Sequence, residues 1–158
     1  LHIGFEAMLR QSGVLIPERQ VKDMINELKE IFEKIKRENQ ELKKIVFLWD
    51  IKHALTFENQ EKNEFQEIIK FLGQFLPQKN IILIKGNHDT IDYTFEGLMK
   101  PHHIESGILF VHGHKKIKEI DNDEVRTIVF GHIHPCVILE KSAKKEAYKC
   151  FLTGKSCG

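Results

Sequence analysis

The chain has 158 residues, 41% of them apolar and 30% charged, with 24 Lys and Arg against 23 Asp and Glu. These fractions exclude a disordered or fibrous protein, and the length points to one domain, residues 1–158, with a real core. A formal charge of +1 gives no general attraction to nucleic acid or to an anionic membrane.

No apolar run approaches the ~20 residues of a membrane helix, so no membrane partner is expected. Leu1 to Arg10 does not have the basic-then-apolar order of a signal peptide. The cysteines Cys136, Cys150 and Cys157 are odd in number and have no metal-like spacing. They argue against a disulfide framework and for a reducing, cytoplasmic location.

Val21, Met24, Ile25, Leu28, Ile31, Phe32 and Ile35 recur at spacings of three and four and predict a first amphipathic helix. Pro17 suits its first turn, and Glu18 comes next, where the dipole favours an anion. The charged stretch Lys29 to Lys44 reads as that helix's solvated face. Ile45 to Trp49 is a short apolar run, expected as a strand buried on both faces and ending at Asp50. Phe65, Ile68, Ile69, Leu72, Phe75 and Leu76 predict a second helix closed by Pro77. Further buried strands are expected at Ile81–Ile84, Ile108–Val111 and Thr127–Phe130. Later strands are expected at Val137–Glu140 and Ala147–Leu152, with Lys141–Glu146 as the turn between them. His102 and His103 come after Pro101 and read as surface loop residues. Early helix–strand alternation and then a strand-rich half imply an α/β fold with a mixed sheet.

The residues at the strand ends carry the chemistry. Seven of the nine histidines lie between His88 and His134. The four most buried strands run into Asp50, Gly86-Asn87-His88-Asp89, His112-Gly113-His114 and Gly131-His132-Ile133-His134. Ligands of open α/β sheets bind at the carboxyl ends of strands, where glycine permits tight turns and close approach. Asp, Asn and His are oxygen and nitrogen donors that suit Mn, Fe, Zn, Ni or Co. The candidates His2, Asp50, Asn87, His112, His132 and His134 are too many for one open zinc site. They suit two ions, with Asp50 as the bridging carboxylate, an arrangement that recurs in phosphatases and nucleases. His114 is placed in an outer shell or facing substrate. Lys52 and His53 are either a solvated turn or phosphate contacts. Lys115, Lys116 and Lys118 read as a solvated face.

In order, Leu1-His2, Trp49-Asp50, Gly86-Asn87-His88-Asp89, His112 and Gly131-His132-Ile133-His134 resemble the calcineurin-like metallophosphoesterase superfamily. Its pattern is D-x-H, G-D, G-N-H-[D/E], H and G-H-x-H. His2-Ile-Gly-Phe-Glu6 and Asp50-Ile-Lys-His53 look like the small archaeal-type phosphoesterases related to the SbcD double-strand-break nuclease. The resemblance implies a four-layer α/β/β/α sandwich of two mixed sheets flanked by helices. It implies one ion on His2, Asp50 and His134 with an Asp two residues before His2. The other ion would take Asp50, Asn87, His112 and His132, and manganese is the favoured metal. His88 would be catalytic, facing substrate and donating to the leaving oxygen, with Asp89 orienting it. The implied reaction is in-line attack on a phosphoester by a hydroxide bridging the two ions.

Two departures stand out. The D-x-H motif opens at Leu1-His2 without its Asp, so that residue and a first buried strand are expected before Leu1. Trp49 occupies the family's Gly position. The expected function is metal-dependent hydrolysis of a small phosphoester or nucleotide-like substrate. A DNA or RNA nuclease is the alternative within enzymes, less favoured because little chain remains after His134 to cap the site and no basic track runs along it. A catalytically impaired binding scaffold is the alternative outside them, favoured by Trp49 and the missing Asp.

Overall fold

The computed structural model describes residues 6, 9–10, 12–48, 58–87, 99–141 and 144–155. The apolar stripe beginning at Val21 winds the first helix, α1, Gln20–Arg37. Phe32 is its buried residue, with Val21, Met24, Ile25 and Leu28 packed around the core. Ile31, at the edge of that stripe, stays half-exposed. The helix starts later than Pro17 suggests. The Glu6 carboxylate accepts from the backbone N–H groups of Arg19 and Gln20, at 2.9 and 3.0 Å. An acceptor at that point satisfies donors that an α-helix leaves open at its start. Lys34, Lys36 and Arg37 sit in the last turn, where the dipole favours cations. The chain then leaves the helix through Asn39, at φ 53°. The charged stretch is therefore helical only in its first half.

The second helix, α2, is Glu58–Leu72, starting and ending earlier than its apolar pattern suggests. Gly73 ends it, and residues 73–75 form a turn. Leu76 still reaches the core, while Phe75 is half-exposed with its ring against Phe32 and Phe71. Pro77 is extended and leads through a 3-10 turn, Gln78–Asn80, into the next strand.

Three parallel strands form the first sheet: β1 (Ile45–Phe47), β2 (Ile81–Ile84) and β3 (Met99–Lys100), in that order. All four residues of β2 are buried, as a central strand covered on both faces requires. Ile81 and Leu83 meet Phe32, Phe65, Ile68, Phe71, Leu72 and Leu76, so α1 and α2 cover one face. β1 is only half-buried, unlike the expectation, because it pairs on one side alone among the described residues. Trp49 lies outside those residues.

A second sheet has the order β4 (His102–Glu105), β5 (Ile108–Val111) and β6 (Thr127–Phe130). β4 and β5 are antiparallel, and β5 and β6 parallel. The loop reading of His102 and His103 is overturned. They are half-buried members of β4, paired with Val111 and Phe110, and the His103 ring stacks on Phe110. A two-residue turn makes that strand possible: Ser106 and Gly107 both have positive φ, 53° and 77°, matching a turn that suits strand twist. β6 is exposed along its length rather than buried, since among the described residues it pairs on one side alone.

β7 (Cys136–Lys141) and β8 (Lys144–Lys149) form a separate antiparallel ribbon. The charged residues expected in its turn belong instead to the ladder. Glu140 faces Lys145 across it, with Lys145 Nζ 3.1 Å from the carboxylate. Phe151 and Leu152 lie beyond β8 and are exposed. The described residues thus form a mixed α/β structure with two helices and three small sheets. No helix among them is long and apolar enough to cross a membrane.

Lys44, just before β1, pairs with Glu105 at the end of β4, and His103 Nε2 lies 3.1 Å from the same carboxylate. Hydrogen bonding to Lys44, and then to His103, holds the Glu105 carboxyl below its usual range. A depressed carboxyl binds its proton more readily in the unfolded chain, so its stabilisation is present above the ordinary carboxylate range and fades as pH falls through the folded value. Lys44→Met should therefore lower the urea midpoint at neutral pH, and its difference from the parent should shrink below about pH 4. In the core, Ile68 has no exposed surface. Ile68→Ala should cost about 2–5 kcal/mol in urea unfolding.

Candidate metal centre

The buried polar side chain nearest the strand ends is His112, 2% exposed, directly after β5. A buried imidazole needs a partner for each ring nitrogen. Its Nδ1 lies 3.2 Å from the carbonyl oxygen of Leu48, the residue immediately after β1. A carbonyl only accepts, so Nδ1 carries the proton and donates. In the neutral ring Nε2 then presents a lone pair.

Two further strand ends meet that lone pair. Asn87, after β2, puts Oδ1 at 3.2 Å, and His132, after β6, puts Nδ1 at 3.0 Å. A proton on His132 Nδ1 accounts for the histidine contact. With its amide turned, Asn87 would donate from Nδ2 to Nε2 in the same way, and a cation seated among the three would instead be met by His112 Nε2, His132 Nδ1 and Asn87 Oδ1. Donors about 2.1 Å from one octahedral ion stand about 3.0 Å apart, close to the separations here. The donor set therefore fits a divalent ion of the borderline kind that accepts imidazole and amide oxygen. Among the described residues, no group of three or more His, Cys, Asp and Glu side chains is arranged to hold a metal. The cluster consists of two histidines and an amide.

The backbone holds the cluster together. The His112 carbonyl accepts from the N–H groups of Gly131 and His132, at 3.2 and 3.0 Å. That extends the β5–β6 pairing beyond the last strand residue and brings His132 to His112. Gly113 has φ +98°, and a Cβ there would stand 3.0 Å from that of Phe130. Glycine lets the chain turn away at that point, immediately after His112.

Three of the six expected ligands, Asn87, His112 and His132, thus come together at the ends of β2, β5 and β6. His114 stands beside them, its ring centroid 5.5 Å from that of His112 and 6.3 Å from that of His132. His134 is exposed, with its backbone in the left-handed region at φ 48°. His2, Asp50, His53, His88 and Asp89 lie outside the described residues. Sequence reasoning misses the Leu48 carbonyl, and no side-chain signal could reveal it, because its part is played by backbone. In the lysine run, Lys116 Nζ lies 3.6 Å from Asp121 and both side chains are exposed.

The chain matches no protein-family model, no curated protein and no solved structure.

Substituting the shared donor should expose the cluster's preference. His112→Ala should weaken Mn(II) or Zn(II) binding by at least about tenfold, read by isothermal titration, since removing even an outer partner of a metal ligand costs 10–100-fold. Unchanged affinity would remove His112 from the ligand set.

Proposed function

We propose that this chain is a metal-dependent phosphoesterase with the four-layer sandwich of the calcineurin-like metallophosphoesterases, acting in the cytoplasm. The observation that supports this most is the meeting of Asn87 Oδ1 and His132 Nδ1 with His112 Nε2, at 3.2 and 3.0 Å, after the ends of β2, β5 and β6. Those residues are the ones that the motif resemblance assigns to a single ion, together with Asp50. Leu48, whose carbonyl orients His112, stands two residues before Asp50. His134, His2 and Asp50 would hold the second ion. Bound there, the two ions would lower the pKa of a water and neutralise charge on the phosphoryl oxygens. Manganese is the favoured metal, with Fe, Zn, Ni and Co also compatible with the donor types.

The protein's own part is to orient and to move a proton. His112 is fixed by Leu48, and His132 by the backbone bond to the His112 carbonyl. His88 is next to the ligand Asn87 in sequence and is assigned to protonating the leaving oxygen, with Asp89 orienting the ring. His114 and His53 are assigned to the substrate side. The substrate class is a small phosphoester or nucleotide-like molecule.

Full-length protein purified without chelator should carry two divalent ions per chain and hydrolyse a chromogenic aryl phosphodiester. Activity on duplex DNA as well would favour a nuclease, and inactivity with two bound ions would favour the scaffold. Asp50→Asn should weaken both ions at once. His88→Ala should keep both and lose ~10²–10⁴-fold in turnover of an ester with a poor leaving group. A protein that binds no divalent ion overturns the assignment.

A further inference from the structure

We propose that the free edge of β7 is an interface on which a second copy of this chain adds its own β7, antiparallel, about a two-fold axis through Ile138. Among the described residues the β7–β8 ribbon pairs with no further strand, and every residue of both strands is exposed. A lone two-stranded ribbon is marginal in water and gains from additional strands. Val137, Ile138 and Leu139, at the middle of β7, are 49%, 62% and 56% exposed. The two edges of the ribbon differ. β8 carries Lys144, Lys145, Glu146 and Lys149, and charges, lysine above all, deter strand addition. β7 keeps its two charges, Glu140 and Lys141, at its far end, so its apolar middle is the edge open to pairing.

A two-fold interface must be self-complementary, and one register makes β7 so. Residues opposite one another in a ladder point to the same face. With Ile138 on the axis, it meets its own copy, Val137 meets the second copy's Leu139, and Cys136 meets the second copy's Glu140. The ladder already present sets Ala147 beside Ile138, Tyr148 beside Val137, Lys145 beside Glu140 and Lys149 beside Cys136. Across the four joined strands the middle row then reads Ala147, Ile138, Ile138, Ala147 and is apolar throughout. The row on either side of it sets Tyr148 and Val137 against the second copy's Leu139. The next row reads Lys149, Cys136, Glu140, Lys145. Each Glu140 carboxylate, 3.1 Å from Lys145 of its own chain, there comes within reach of Lys149 from the other, across a small cysteine. Shifting the pairing by one residue either way sets Glu140 against Val137 or Pro135, and Glu140 and Lys149 no longer share a row.

One pair of six-residue strands is a small interface, so the dimer should dissociate in the micromolar range. Sedimentation of the full chain from about 1 μM to 1 mM should show a monomer–dimer equilibrium. Ile138→Lys sets like charges opposite each other on the axis and should leave a folded monomer. Lys149→Glu should weaken the dimer about tenfold. Both positions are exposed, so circular dichroism should match the parent. Opposed Cα atoms stand about 4.5–5.5 Å apart, within the span of a disulfide. With Cys136→Ser, Cys150→Ser and Cys157→Ser in place, Ile138→Cys should therefore cross-link two chains under mild oxidation. Leu139→Cys, whose copies would stand ~7–8 Å apart, should not. A chain that is monomeric at about 1 mM overturns the proposal. So does a dimer that Ile138→Lys or Lys149→Glu leaves unweakened, or one that Ile138→Cys fails to cross-link.

Discussion

The hydrogen bond from His112 Nδ1 to the Leu48 carbonyl joins the end of β1 to the end of β5, two strands of different sheets 64 residues apart. His112 is almost wholly buried, and burying an imidazole without partners costs more than its contacts return. The fold must therefore bring an acceptor to one nitrogen and a donor or a cation to the other. Leu48 meets the first demand. Asn87 and His132 surround the second nitrogen, at 3.2 and 3.0 Å.

Chain direction explains why these ends coincide. β1 and β2 are parallel, with α2 lying between them in sequence. β5 and β6 are parallel and are joined by a segment containing only a 3-10 turn, Lys118–Asp121. A parallel pair places both carboxyl ends on the same side. The apolar face of α2 packs on β2 through Phe65, Ile68, Phe71 and Leu72, which fixes the level at which Asn87 emerges. The Leu48–His112 contact then sets the ends of the first sheet against the ends of the second.

Away from that junction, exposed polar ties supplement the packing. Lys44 joins the approach to β1 to the end of β4, and the Glu6 carboxylate takes up the opening donors of α1. Each connects segments far apart in sequence through a carboxylate. Such exposed pairs contribute little individually, and the apolar contacts of α1 and α2 with β2 remain the main source of stability.

Periodicity alone determined the α/β class, the strands Ile81–Ile84, Ile108–Val111 and Thr127–Phe130, and the presence of both helices, because these signals are local repeats of apolar residues. Residue type at the strand ends was equally legible: it singles out His2, Asp50, Asn87, His112, His132 and His134, of which Asn87, His112 and His132 meet among the described residues. Pairing was not legible. β4 is hidden because Pro101 and two histidines look like a loop, and only the turn at Ser106-Gly107 and the partners Val111 and Phe110 make them a strand. The charged residues of β8 resemble a turn because their places in the ladder come from the opposite strand. The exposure of β6 and the half-burial of β1 depend on strand order, which no single segment encodes. The part played by Leu48 was invisible for the deepest reason. A carbonyl group is common to every residue, and only the tertiary structure decides which one an imidazole will meet.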